Sequence, residues 1–209
     1  AFRRQFGRFV DEVVRPELGG GELLYQRQPV LRCHVPGDKP LGHRHRDESY
    51  GRQPSEVNIW LPLTQVFGSN SLWAESARGR EDWHPFECGW GECVRFWGCE
   101  CEHFTKANET DVTRVSLDFR TVPVKDYVDG YVRPGSKRSA SAAPRESYTD
   151  TETERQWRAA RPLCDCILLR TWHVQGGRVR LYFWLCDGAR HGAQSPVRQG
   201  AGGIHRHCV

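Results

Sequence analysis

The segment at residues 41–50, LGHRHRDESY, combines imidazole and carboxylate side chains at a spacing that suits metal binding. Its central feature is His45-x-Asp47. On an extended chain, residues two positions apart point to the same side, so these two side chains can meet at one point. A neutral imidazole and a carboxylate supply two adjacent ligands for an octahedral metal ion. The segment therefore predicts part of a metal centre.

Two other interpretations of this segment stay open. His43 alternates with His45 and Asp47, so it could replace His45 as the ligand, although Asp47 would then lie too far along the chain. His45 and Asp47 could also form a surface ion pair on a charged loop, since exposed pairs of this kind are common.

A third ligand has to come from a distant part of the chain, and His103 is the candidate. Two histidines and one carboxylate form the facial triad of non-heme Fe(II) oxygenases, which leaves three positions open for a co-substrate and O2. His103 follows the Cys99–Cys101 run and could instead be a structural histidine whose ring nitrogens are satisfied by hydrogen bonds.

The motif Arg114-x-Ser116 places a guanidinium and a hydroxyl on one face of a strand beyond His103. A guanidinium can bind a carboxylate through two parallel hydrogen bonds, and the hydroxyl adds a further donor. An oxygenase of this kind needs such an anchor for the far carboxylate of 2-oxoglutarate, so we expect both residues to bind it. The alternative for Arg114 is a strand-end salt bridge, to Asp118 or Glu109.

The strand that follows the His45-x-Asp47 motif carries further candidates. Asn58 and Trp60 share one face, and if that face lines the site, Asn58 is predicted to contact the co-substrate. Otherwise Trp60 belongs to the core, as Trp73 and Trp97 are expected to. Glu56 lies on the same face and could instead orient a histidine.

Composition limits the classes of partner. The 209 residues include 30 basic and 26 acidic side chains, a net charge of +4, which is too mild to indicate nucleic acid or an anionic membrane as a partner. No stretch approaches the roughly 18 uninterrupted apolar residues of a membrane helix. The 8 Trp, 9 Phe and 6 Tyr can anchor a core. We therefore expect a small-molecule substrate and O2 as partners, with no nucleic acid and no membrane.

The 9 cysteines do not have the spacing of a zinc site. Their close pairs, Cys99-x-Cys101 and Cys164-x-Cys166, lack the C-x-x-C pattern, and an odd number cannot all pair within one chain. We expect buried structural thiols in a reduced, intracellular setting, the cytoplasm. Because the sequence has no Met, we also expect its natural start to be missing, which would hide any targeting signal.

The pattern of apolar residues predicts the elements that position these side chains. Apolar residues three and four apart over 1–18 predict a helix that ends before Pro16. Short apolar runs separated by turn residues then predict strands. These runs are 23–35, 56–63, 71–76, 83–88, 92–97, 101–105 and 112–122. Two later runs, 166–174 and 179–185, suggest a hairpin around Gln175-Gly176-Gly177.

Four segments follow from these patterns. We expect residues 1–21 to form the N-terminal helix of a truncated scaffold, and 22–125 to form a β-rich core. Residues 126–162, rich in Ser, Arg, Thr and Glu, are expected to be a linker because they have too few apolar side chains to offset the entropy of ordering. Residues 163–209 are a largely irregular extension with the possible hairpin.

Four longer sequence stretches within 22–125 are distinctive in addition to the single motifs. They are YGRQPSEVNIWLPLT at 50–64, SNSLWAES at 69–76, RFWG at 95–98 and NETDVTRVSLDFR at 108–120. This run resembles the streptomycin-biosynthesis-type members of the Fe(II)/2-oxoglutarate-dependent dioxygenases. The resemblance implies a mainly β protein with a double-stranded β-helix (jelly-roll or cupin-like) core.

By matching positions, the resemblance implies that His45, Asp47 and His103 bind Fe(II). It likewise implies that Arg114, with Ser116 beside it, binds 2-oxoglutarate. The implied activity is oxidation of a small molecule, usually hydroxylation, with release of succinate and CO2. Two alternatives remain: a metal-binding cupin-like protein without oxygenase activity, and an inactive, truncated oxygenase. Loops 37–44 and 77–82 are expected to select the substrate.

Overall fold

The computed structural model describes residues 2–135 and 148–152, together with the backbone of residues 167–175 and 178–185. The first element is a helix in three parts: α1 (Phe2–Phe9), a π-helical turn (Val10–Val14) and α2 (Arg15–Glu17). The helix thus continues past Pro16, and the prediction that it ends before this proline is wrong. Pro16 lies in the first turn of α2, where a residue without an N–H group is tolerated.

Most strands lie within the predicted apolar runs, but the run 23–35, predicted as one strand, is divided into two strands at residues 27–29. The strands are β1 (Leu23–Gln26), β2 (Val30–His34), β3 (Val57–Pro62), β4 (Leu72–Ala74), β5 (His84–Pro85), β6 (Glu92–Phe96), β7 (His103–Thr105), β8 (Arg114–Pro123), β9 (Tyr148–Asp150), β10 (Ile167–Gln175) and β11 (Arg178–Leu185). Short 3-10 turns lie at Asp47–Tyr50, Gly68–Asn70 and Val124–Asp126. The protein is therefore mainly β, with an N-terminal helix.

These strands form two antiparallel sheets in the part of the chain that the structure describes. The larger sheet has the order β10-β11-β6-β3-β8-β1-β9, and β2 also pairs with β8. The smaller sheet has the order β5-β4-β7. The long strand β8 is central, because one of its edges pairs with β3 and the other with both β2 and β1.

The two faces of the larger sheet have different partners. Alternate residues of β3 and β8, such as Ile59 and Phe119, pack against apolar side chains of the N-terminal helix. The opposite face carries Trp60 and Phe96, which form a second apolar cluster with residues of the smaller sheet and the loop after it. This alternation places Asn58, Trp60 and Arg114 between the two sheets rather than under the helix.

Strand β9 lies within the segment predicted to be a linker. It pairs with β1, and its first residue, Tyr148, is buried. β10 and β11 pair with each other, and β11 pairs with β6. The turn predicted at 176–177 and the other residues of 126–209 not included above lie outside the described residues.

Other predictions about side chains can also be compared with the fold. The five cysteines in the described ranges are free thiols, and three of them are buried: Cys88, Cys93 and Cys99. Trp97 is 44% exposed, so the prediction that it is a core residue is wrong. It lies just past the end of β6, where strand alternation no longer sets its direction. None of the helices in the described chain is long and apolar enough to cross a membrane.

Candidate metal centre and its cavity

His45 and His103 are brought together by a short backbone bridge. The N–H of His45 donates to the carbonyl of His103 at 3.1 Å, and the N–H of His103 donates to the carbonyl of His45 at 2.9 Å. This pairing holds the two imidazole centroids 4.3 Å apart. His103, the first residue of β7, is therefore paired with the loop that carries His45-x-Asp47.

Both imidazoles are oriented by carbonyl groups two residues earlier in the chain. Nδ1 of His45 lies 2.6 Å from the carbonyl oxygen of His43, and Nδ1 of His103 lies 3.0 Å from that of Cys101. Because a carbonyl only accepts, Nδ1 carries the proton in each ring, which leaves the Nε2 lone pair free. The free Nε2 atoms are the ones that face Asp47.

Asp47 completes a group of three potential metal ligands. Its Oδ1 atom lies 3.6 Å from Nε2 of His45 and 3.7 Å from Nε2 of His103. The three ligand atoms all lie within 4.8 Å of one another, the only such group among the described residues. Two nitrogen donors and one carboxylate oxygen match the donor set of a facial triad.

The charges of this group follow from its surroundings. Burial raises the pKa of Asp47, but the neighbouring His45 imidazole and the hydrogen-bonded Arg120 guanidinium outweigh burial and hold the pKa well below its ordinary value. Asp47 is therefore ionised at neutral pH. Burial lowers the pKa of His103, whereas the interaction with Asp47 raises the pKa of His45.

Asp47 is also fixed by Arg120, which was not predicted as a site residue, and by Asn58, which was predicted to contact the co-substrate instead. Arg120 donates from Nε to Oδ2 and from Nη2 to Oδ1, both at 2.9 Å. Asn58 donates from Nδ2 to Oδ2 at 2.7 Å and accepts from the N–H of Gly98 at 3.2 Å. Both ends of the Asn58 amide are thus used to hold Asp47 and Gly98, rather than left free for a co-substrate. Strand alternation from Arg114 through 116 and 118 was the signal that could have identified Arg120.

Arg114, the predicted carboxylate anchor, is buried without an ion pair among the described residues. It is 1% exposed, and its Nη1 donates to the carbonyl of Asn70 at 2.8 Å. Nε of Arg114 and Oγ of Ser116 are buried without a hydrogen-bond partner in the described chain. Burial, together with the charge of Arg32, lowers the pKa of Arg114 to about 10, so the guanidinium stays charged at neutral pH.

The alternative interpretations can be compared with this geometry. Asp118 pairs with Arg32 at 2.5 Å, and Arg114 forms no salt bridge with it. Glu56 lies 3.9 Å from Arg52 and 3.8 Å from Arg120, and the rings of His45 and His103 are oriented by backbone carbonyls instead. The side chain of His43 is outside the group of potential ligands.

A single cavity of about 440 Å³ connects the two parts of the site. His45, Asp47, His103, Arg114 and Asn58 all line it, whereas Ser116 lies behind the lining. Apolar walls come from both sheets and include Trp60, Leu72, Phe96 and Phe104. Loop 37–44, predicted to select the substrate, supplies Leu41, Gly42 and His43, whereas no residue of 77–82 lines the cavity.

No family model matches the chain. The similar solved structures include the non-heme monooxygenase ThoJ in complex with Ni and the non-heme alpha-ketoglutarate-dependent carbocyclase SnoK from nogalamycin biosynthesis. ThoJ has a TM-score of 0.42 and 15% identity, with coverage of 60% of this chain and 56% of ThoJ. SnoK has a TM-score of 0.45 and 18% identity, with coverage of 66% and 65%.

A curated relative matches the chain more closely in sequence. The streptomycin biosynthesis protein StrG of Streptomyces griseus is 38% identical over 119 residues, which are 57% of this chain and 54% of StrG. The chain thus spans about half the length of this curated relative. The predicted resemblance to a streptomycin-biosynthesis-type protein is confirmed, and over this part of its length the chain is a homologue of StrG.

Proposed function

We propose that this chain is an Fe(II)- and 2-oxoglutarate-dependent oxygenase built on a double-stranded β-helix core. Its substrate is a small molecule, which it hydroxylates with release of succinate and CO2. The observation that carries the proposal is the cavity in which His45, Asp47 and His103 converge near the buried, unpaired guanidinium of Arg114.

The side chains of the centre fit a divalent iron ion chemically. His45 and His103 offer neutral Nε2 donors whose Nδ1 atoms are already bound to carbonyl groups. Second hydrogen bonds of this kind are what orient metal-binding histidines in proteins. Asp47 adds an ionised oxygen, so the three ligands would leave a net positive centre able to bind a keto acid.

Arg114 fits the far carboxylate of a dicarboxylate ligand. A buried guanidinium without an anionic partner is costly, and a carboxylate would supply that partner through two hydrogen bonds. The unpaired Nε of Arg114 and the hydroxyl of Ser116 are two further donors on the same face of β8. A protein that only binds a metal ion would not need the guanidinium of Arg114 as a second positive group in the cavity.

The residues of the chain have distinct parts in the proposed reaction. Bound Fe(II), with 2-oxoglutarate and O2, would supply the oxidation itself. Arg114 binds and orients the co-substrate by its distal carboxylate. Trp60, Phe96 and Phe104 limit the access of water to the cavity, and loop 37–44 contacts the substrate at its entrance.

Succinate formation tests the proposal directly. Purified protein with Fe(II), O2 and 2-oxoglutarate is expected to produce succinate slowly even without a substrate. Arg114→Ala should lower the affinity for 2-oxoglutarate by about 100-fold, because a charge-assisted pair is lost. Arg32→Ala is the matched control, since Arg32 also lines the cavity but already pairs with Asp118. Metal binding without any turnover of 2-oxoglutarate would instead favour a metal-binding protein that is not an oxygenase.

A further inference from the structure

Arg120 lies on the cavity side of the central strand β8, directly opposite Asn58 of β3 in the sheet register. Its side chain is only 18% exposed. It reaches Asp47 with two parallel hydrogen bonds of 2.9 Å each, from Nε and Nη2. A planar guanidinium forms this fork-like pair with a carboxylate, whereas the ammonium of a lysine cannot.

The hydrogen bonds received by Asp47 can be counted for each oxygen. An ionised carboxylate has about four acceptor positions, two on each oxygen. Oδ2 accepts from Nδ2 of Asn58 and Nε of Arg120, so both of its positions are used. Oδ1 accepts from Nη2 of Arg120, which leaves one position. Oδ1 is also the oxygen nearest the two Nε2 atoms of the histidines.

We propose that Arg120 and Asn58 are positioning residues that restrict Asp47 to coordination of the metal through Oδ1 alone. This inference rests on the proposed function. A carboxylate that binds through both oxygens would occupy one more coordination position than a carboxylate that binds through one. The restriction keeps three positions of an octahedral ion open, as a bidentate keto acid and O2 require.

The surroundings of Arg120 and Asp47 keep this arrangement rigid. Glu56, fully buried, lies 3.8 Å from Nε of Arg120, the same atom that donates to Asp47. A Cβ at Gly98 would lie 2.5 Å from Oδ2 of Asp47 and 2.7 Å from Nδ2 of Asn58. Only glycine at position 98 therefore lets the carboxylate and the amide lie against the backbone.

Co(II) binding to the purified protein tests the inference without relying on turnover. Arg120→Met should lower Co(II) affinity by about 10- to 100-fold, the usual range for loss of a hydrogen bond to a metal ligand. Arg120→Lys keeps the charge without the fork and should recover only part of the affinity. Arg32→Met, which removes another guanidinium that lines the cavity, is the control and should bind Co(II) like the wild type.

X-ray absorption of the Co(II)-loaded proteins supplies a readout that general damage to the fold would not produce. The wild type should lack the short cobalt–carbon distance of a chelating carboxylate, and Arg120→Met should show it. Should Arg120→Met not fold, as judged by its thermal melt, Asn58→Leu frees one position on Oδ2 and should show the same feature at reduced affinity.

The outcomes separate this inference from the proposed function. The inference is supported if the wild type binds Co(II) through one oxygen of Asp47, and if the variants bind Co(II) more weakly or through both oxygens of Asp47. Equal or tighter Co(II) binding by Arg120→Met, with an unchanged spectrum, overturns the inference and leaves the oxygenase proposal standing. A wild type that binds no Co(II) overturns both.

Discussion

His45 and His103 exchange backbone hydrogen bonds in both directions, at 3.1 and 2.9 Å, in an isolated bridge outside the regular strands. The bridge fixes the distance between two imidazoles that are far apart in sequence. Each ring is then turned by a carbonyl of its own segment. The backbone therefore holds the two Nε2 atoms close together in the ligand-free protein, so a metal ion at this candidate site would require little rearrangement.

Replacement of His103 should abolish metal binding while the fold is kept. His103→Ala removes one of three donors, so its Co(II) affinity should fall by at least about 100-fold, beyond the effect of losing an outer hydrogen bond. Calorimetric titration with Co(II) measures this loss. His43→Ala is the matched control, because only the backbone carbonyl of His43 contacts His45 and that carbonyl remains. Equal losses in both variants would contradict the assignment.

Replacement of Ser116 should have opposite effects on stability and on ligand affinity. The hydroxyl of Ser116 is buried without a hydrogen-bond partner among the described residues, which costs about 1–3 kcal/mol. Ser116→Ala should therefore raise the free energy of unfolding of the ligand-free protein, by about 1 kcal/mol. It should weaken binding of 2-oxoglutarate by about tenfold, since one donor is lost. Urea unfolding and calorimetry measure the two effects, and a loss of stability would contradict this account.

The positions of several site residues could be predicted from strand alternation and from the family resemblance. His45, Asp47, His103 and Arg114 line one cavity. The spacing of His45 and Asp47 indicated that these two side chains could meet, whereas their convergence with His103 and Arg114 was implied only by the resemblance. The strands themselves were also predictable, since apolar runs broken by turn residues marked nearly all of those in the core.

The contact between Arg120 and Asp47 could not be predicted in the same way. It depends on the register that places Arg120 opposite Asn58, and a single sequence does not reveal which strands pair. Alternation could have placed Arg120 on the cavity face, but could not have identified its partner. Similarly, Tyr148 follows a long polar segment, and only its pairing with β1 explains why it is buried.

Removal of the aromatic ring of Phe6 should release the N-terminal helix from the larger sheet. Phe6 is 5% exposed and meets Phe119 and Tyr25 edge to face, with centroids 4.8 and 5.6 Å away. Phe6→Ala should lower the free energy of unfolding by about 3–5 kcal/mol, the usual cost of such a cavity. Phe2→Ala, at a side chain that is 58% exposed, should cost less than about 1 kcal/mol. Urea unfolding compares them, and similar costs would contradict the docking of the helix.

Glu75 links the segment of the candidate ligands to strand β7. It is buried and accepts hydrogen bonds from Nη2 of Arg46 at 2.6 Å and from the N–H of Glu102 at 2.8 Å. Burial alone would raise the pKa of Glu75, but these hydrogen bonds and one from the N–H of Glu81 outweigh it and lower the pKa to about 2.

The lowered pKa of Glu75 predicts a dependence of stability on pH. A carboxyl whose pKa is lower in the folded state stabilises the protein above its ordinary pKa of about 4.3, and this contribution is lost as pH falls toward 2. Glu75→Gln should therefore cost about 2 kcal/mol at pH 7, because three hydrogen bonds to the ionised carboxylate are weakened or lost. The difference from the wild type should shrink between pH 4.5 and pH 2. Glu100→Gln, at a carboxylate that is 47% exposed, should have little effect at either pH. Thermal melts across this range measure the difference, and a constant gap between Glu75→Gln and the wild type would contradict the role of the ionised carboxylate.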